Sequence, residues 1–224
     1  GMKWRSGWPG GVLGMSAWGG GGGDDGEGMW AISEVEVGSV GCADGTVLSE
    51  KRFEESGKEA MGIVFYVDSD NELGNLGYAV YIHDIEPLAF ADTLGVDQET
   101  SASLSEEDGN ENTYSLFHCE DVASPMAIKV FDMWCYGQSA YVPSVRQLAY
   151  LFQNRYHINE RITAVGGTPI SLEPGECWLG SSTEVEGQKE SKAWLYSMQS
   201  GFILETPKDQ PHMFRPVISI KRSK

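Results

Sequence analysis

Cys177-Trp178-Leu179, Ala193-Trp194-Leu195-Tyr196-Ser197-Met198, Gly201-Phe202-Ile203-Leu204-Glu205 and Phe214-Arg215-Pro216-Val217-Ile218-Ser219-Ile220 form a series of short runs near the carboxyl terminus. Each is rich in apolar, aromatic or β-branched residues, and turn residues separate them, so they read as strands. Gln199-Ser200-Gly201 makes a tight hairpin turn between the second and third, with Gly supplying positive φ. Trp178 and Trp194 are expected on facing strands, each burying a large ring.

Upstream, the period changes from two to 3.6. Ser144 with Gln147 three residues on is a capping box, and Val145, Leu148, Leu151 and Phe152 form one apolar stripe. Ser124 caps an earlier helix whose first position is Pro125, with Met126, Val130 and Met133 or Trp134 at helical spacing and Gly137 at its end. Asn159 is placed to cap a short third helix, Glu160 to Val165, closed by Gly166-Gly167. Further upstream, Ile63–Val67 and Gly77–Ile82 read as two strands joined by the acidic turn 68–75. That turn fails as an EF-hand loop, because Leu73 stands where Gly is needed and Ala79 where the bidentate Glu is needed. Residues Gln98 to Asn112 read as a polar surface loop. Strands, then helices, then strands predict an α+β domain with a mixed, mostly antiparallel sheet and two to three short helices.

Charge narrows the roles. The 224 residues carry a formal charge of −17, and residues 24–124 alone hold 24 acidic and 3 basic side chains. A nucleic-acid partner is not expected, since phosphate binding begins with a cationic face. No apolar run approaches the ~18–20 residues that span a bilayer. The glycine tract Gly19–Gly23 and its acidic continuation to Gly28 read as a flexible tether, so residues 1–34 are assigned as an N-terminal tether and 35–222 as the domain. Trp4, Trp8 and Trp18 argue against full disorder of that tether. Ser6 to Gly14 is too broken by Gly and Pro to be the apolar stretch of a secretory signal, so a surface protein would have had its signal or anchor removed.

Catalytic chemistry is not evident. None of His83, His118, His157 and His212 sits in a hydrolase or zinc motif, and His118-Cys119 are neighbours that would point to opposite faces of a strand. Cys42, Cys119, Cys135 and Cys177 lack any C-x-x-C spacing; buried thiols and any of three disulfide pairings stay open. No metal site or cofactor is expected.

Seven stretches in order resemble one known family. Ala43-Asp44-Gly45-Thr46 and Gly62–Asp68 resemble its "D-G-T" and "G-V-V-F-Y-V-D" elements, and Asn112-Thr113 its "G-x-x-N-T" step. Tyr141–Leu148 resembles "W-x-L-P-S-x-x-E-L", Trp178–Glu184 resembles "W-x-S-S-T-E", and Ala193-Trp194 and Arg215-Pro216-Val217 follow in its order. The family is the Fibrobacter-type major paralogous domain of bacterial surface proteins, and the retroelement-diversified variable proteins share its fold. The resemblance implies a C-type-lectin-like fold over residues 35–222. Gln147 stands for the family's Glu, Val142 for its Leu and Gly180 for a small Ser-type residue. Neither an E-P-N nor a Q-P-D tripeptide occurs, so calcium-bridged sugar binding is not implied.

In this fold, ligand surfaces are built by loops of the C-terminal sheet, here Ser181–Lys192 and Thr206–Met213. Glu184, Lys189, Tyr196, Lys208 and His212 are the candidate ligand-binding residues. The expectation is a non-enzymatic recognition or adhesion domain, extracellular or at the cell surface, that binds an unknown protein or glycan. A virion location is the alternative to the cell surface. The alternative roles are a structural module of a fimbria or virion that contacts copies of itself, and an enzyme of the formylglycine-generating type using Cys177. For Arg215 a structural role is expected, with its guanidinium on backbone carbonyls or on Glu184.

Overall fold

The structure, a computed structural model, describes residues 12–14, 35–68, 75–135 and 138–221. The expected tether lies outside these residues apart from 12–14, as does most of the acidic turn at 69–74. In chain order the elements are β1 (Val12–Gly14), β2 (Val40–Cys42), β3 (Val47–Leu48), α1 (Glu50–Ser56), β4 (Ala60–Val67), β5 (Asn75–Tyr81), α2 (Gly109–His118) and α3 (Pro125–Phe131). There follow β6 (Trp134–Cys135), β7 (Gln138–Ser139), α4 (Val145–Gln153), α5 (Arg155–Ala164), β8 (Trp178–Glu184), β9 (Lys192–Ser197), β10 (Ile203–Pro207) and β11 (Val217–Lys221).

A six-stranded sheet runs β1-β11-β5-β4-β2-β3, and a second sheet runs β10-β9-β8. Among the described residues every strand pairing is antiparallel except that of β1 with β11, which is parallel. The architecture is therefore α+β with antiparallel sheets. Strand β4 explains why the large sheet is covered twice. Ile63, Val64 and Phe65 are all fully buried, so both faces of the strand must lie against apolar layers. Val64 and Ala79 face a core filled by Leu116 of α2 and by Met126, Ala127 and Val130 of α3. Ile63, Phe65 and Val80 face a second core with Leu148 and Leu151 of α4 and Ile158 and Ile162 of α5.

Five helices are described where two to three were expected, and the differences have local causes. Helix α1 buries no residue; it is held by the Ser49 hydroxyl, which accepts from the N–H of Arg52, and by Gly57 in the left-handed region at its end. Helix α2 occupies the end of the presumed loop 98–112 and continues to His118. Helix α5 begins at Arg155 rather than Glu160. Asn159 does not cap it but clamps Ile170, with its Nδ2 donating to the Ile170 carbonyl and its Oδ1 accepting from the Ile170 N–H, both at 2.8 Å. Helix α3 ends at Phe131, short of Gly137.

The capping box of α4 forms as expected, and Gln147 does more than close it. Its Oε1 accepts from the N–H of Ser144 at 3.0 Å and of Gly109 at 3.2 Å, while Nε2 donates to Tyr141 Oη at 3.1 Å. One buried amide thus joins the starts of α2 and α4. Gly109 is required there, because an added Cβ would collide with Gln147 Oε1.

Trp178 and Trp194 are half-buried and lie on adjacent strands of the smaller sheet, not on facing strands. Tyr78, Tyr141, Phe65 and Phe214 are instead the fully buried aromatic residues. Gly201 closes the β9–β10 turn at φ 77°, and its Cα sits where an added Cβ would press on the Phe152 ring. Cys42, Cys119 and Cys177 are thiols, not disulfide partners. No described helix is long and apolar enough to cross a membrane.

Candidate functional site

The smaller sheet presents two loops, 185–191 after β8 and 208–213 after β10, at the place where the sequence puts a ligand surface. The five candidate residues divide between surface and interior. Glu184, the last residue of β8, and Lys208, just past β10, are both 0% exposed, and Lys208 Nζ lies 2.6 Å from Glu184 Oε2. The ammonium also donates to the carbonyls of Val96 and Lys189, each at 2.8 Å. Glu184 accepts from the N–H groups of Gln98 (3.1 Å) and Thr100 (3.0 Å) and from Thr100 Oγ1 (2.8 Å). Every charge-bearing atom of the pair has a partner, as a buried ion pair requires. These contacts stitch loop 92–108 to the smaller sheet, so that loop is anchored by buried Gln98 and Thr100 rather than lying free on the surface.

Tyr196 is also buried; its ring packs against Phe152, with centroids 6.0 Å apart, and burial raises its phenol pKa. Lys189 and His212 keep partial exposure. Lys189 Nζ stands 3.3 Å from Asp97 Oδ1. Burial pushes the Asp97 carboxyl up, but the Glu99 N–H and the Lys189 ammonium outweigh it and hold the group below the usual carboxylate range. His212 Nε2 is 2.7 Å from Thr206 Oγ1, and burial lowers its pKa, so the ring is neutral near pH 7. A crevice of only about 10 Å³ beside Trp194 and His212 admits little more than a water.

Two further features were not among the residues the sequence singled out as ligand-binding. At the turn of β9–β10, Phe202 is 73% exposed and Leu204 51%. Near Gly201, the Arg155 guanidinium lies 3.8 Å over the Phe152 ring and 4.5 Å over the Tyr156 ring. The second feature is a cleft of about 340 Å³ lined by Asp84, Pro169, Ile170, Ser171, Gly175, Glu176, Leu179, Met213 and Arg215. Arg215 Nη1 donates to the Tyr81 carbonyl at 3.1 Å, and Nη2 donates to Thr168 O at 2.6 Å and Asp84 Oδ1 at 2.7 Å. Burial draws the Arg215 pKa down and the Asp84 carboxylate opposes that shift. The guanidinium does sit on backbone carbonyls, but its acid is Asp84, because Lys208 occupies Glu184. Nothing in the spacing of residues 84, 176 and 215 announces this cleft, since three separate loops bring its polar groups together.

No family model matches the chain, and no curated protein matches it. Among solved structures, a fimbrial protein from Bacteroides ovatus ATCC 8483 superposes with a TM-score of 0.60 at 17% identity, covering 83% of this chain and 49% of that one. The chain thus spans about half the length of its structural neighbour, and the likeness is one of fold.

Proposed function

We propose that this chain is a non-enzymatic domain of a fimbria-type surface assembly, built on a C-type-lectin-like fold of the Fibrobacter-type major paralogous kind. The observation that carries the reading is the superposition of 83% of the chain on a fimbrial protein. The order of strands, helices and strands, with Trp178–Glu184 in the smaller sheet, supports the lectin-like part. Cys177 supports the non-enzymatic part: it is buried, with its sulfur 3.4 Å from Ser197 Oγ, and a buried thiol is a poor nucleophile. Immunogold labelling of intact and of thin-sectioned source cells with antibody against the full chain tests the proposal. Label along surface appendages is expected, and label confined to the cytosol overturns it.

Within that assembly the loops beside β8 and β10 are the recognition surface for a protein or glycan. Lys189 and His212 carry this role, being the two candidate residues that keep contact with solvent. On a glycan and protein array, Lys189→Ala and His212→Ala are expected to reduce retention severalfold while Tm stays within a few degrees. Retention that survives both substitutions moves the recognition surface elsewhere.

A further inference from the structure

We infer that the cleft beside Arg215 receives a primary alkylammonium group, the side chain of a lysine on a partner polypeptide. The cleft borders the loop surface just described, sharing Met213 with it but neither Lys189 nor His212, and the inference holds wherever the domain is displayed. Its size is that of a small-ligand pocket, at the low end of the usual range of about 300–1,000 Å³. The floor is apolar: Ile170 and Leu179 are buried, and half-buried Met213 adds a thioether. A four-carbon stem lying on such a floor removes apolar surface from water on both sides.

The charges in the lining select the group at the end of that stem. Arg215 already directs Nη1 and Nη2 at the Tyr81 and Thr168 carbonyls and at Asp84 Oδ1. Its positive charge is thereby matched by Asp84, one for one. Glu176 is then the surplus charge of the cleft: it is exposed, and the described polar contact of its carboxylate is a long 3.4 Å hydrogen bond from Ser171 Oγ to Oε2. The lining therefore carries a formal charge of −1, and an anionic guest would meet two carboxylates while a cation meets an unmatched one. Lysine suits this better than arginine, because a compact ammonium needs no planar fork of acceptors and a flexible stem can follow the floor. The chain's formal charge of −17 draws cationic partners in from a distance.

The full chain, labelled at Ile and Met methyls, is titrated with Nα-acetyl-lysine N-methylamide and followed by NMR. The Ile170 and Met213 methyls should shift and saturate together. The norleucine amide, which keeps the four-carbon stem and lacks the ammonium, should bind at least about threefold more weakly, the worth of one exposed ion pair. Glu176→Gln should weaken the lysine derivative by a similar factor without altering the rest of the spectrum, and added salt should weaken it further. Methyls that do not move, equal binding of the norleucine derivative, or an unchanged affinity in Glu176→Gln each overturn the inference. Glucosamine supplies an ammonium on a polyol in place of an alkyl stem; tighter saturation by it overturns the assignment to lysine in favour of an amino sugar.

Discussion

Glu184 and Lys208, expected from the sequence on a ligand-binding loop surface, are instead buried as partners of each other. Glu184 ends β8 and Lys208 directly follows β10, and charged residues at strand ends ordinarily face water. Their burial depends on Gln98 and Thr100, more than 80 residues before Glu184, whose N–H groups meet its carboxylate. No local pattern encodes such a meeting. Removing one partner of a buried pair leaves an uncompensated charge, so Lys208→Met is expected to cost about 3–5 kcal/mol in urea denaturation. Adding Glu184→Gln to that variant should recover part of the loss, because it removes the stranded carboxylate. A similar argument holds for Gln147, whose amide serves three partners. Gln147→Leu strands the N–H groups of Gly109 and Ser144, each worth about 1–3 kcal/mol when buried and unsatisfied, and chemical denaturation should register the loss.

Among the elements, those with self-contained signals were legible. The Ser124-Pro125 start of α3, the capping box of α4, the β4–β5 pair and the glycine of the β9–β10 turn all depend on residues within a few positions of one another. Helix α2 does not. Its sequence, Gly-Asn-Glu-Asn-Thr-Tyr-Ser-Leu-Phe-His, has poor intrinsic propensity at its start, and docking holds it. Thr113 Oγ1 lies 2.7 Å from the Gly109 carbonyl and accepts from the N–H of Val142 at 2.9 Å, so the helix is completed from outside. Its N-cap residue, Asp108, has a carboxyl oxygen buried without a hydrogen-bond partner. Burial pushes the Asp108 pKa up to about 6. A folded-state pKa above the unfolded value near 3.8 means that the favourable contribution is complete below pH ~4 and is lost as pH rises through 6. Asp108→Asn should therefore stabilise the protein at pH ~8, by about 1–2 kcal/mol after allowing for the group's partial exposure, and not at pH ~4. Thermal melts at the two pH values distinguish this from a gain independent of pH.

For the molecule as a whole, the α+β class and the antiparallel sheets were readable from the order of apolar periods. The parallel partnership of β1 with β11 was not, because Val12–Gly14 sits in a stretch broken by Gly and Pro that gives no strand signal of its own. Charge acts at this scale too. Residues 35–68 and 75–124 carry 18 acidic against 3 basic side chains, so the folded state gathers like charges that the unfolded chain spreads out. Raising salt from about 0.01 M to about 0.1 M shortens the screening length from about 30 Å to about 10 Å, and Tm should rise with it. A falling Tm would show instead that exposed ion pairs such as Lys58–Asp44 outweigh the repulsion. The β1–β11 pairing has a mechanical result. Val12, Leu13 and Gly14 lie beside Ser219, Ile220 and Lys221 and run in the same direction. Tension pulling backward on β1 and forward on β11 drags the two strands lengthwise past each other, and their cross-links share the load at once instead of opening one by one. The clasp resists stretching in its strongest geometry, sliding rather than peeling.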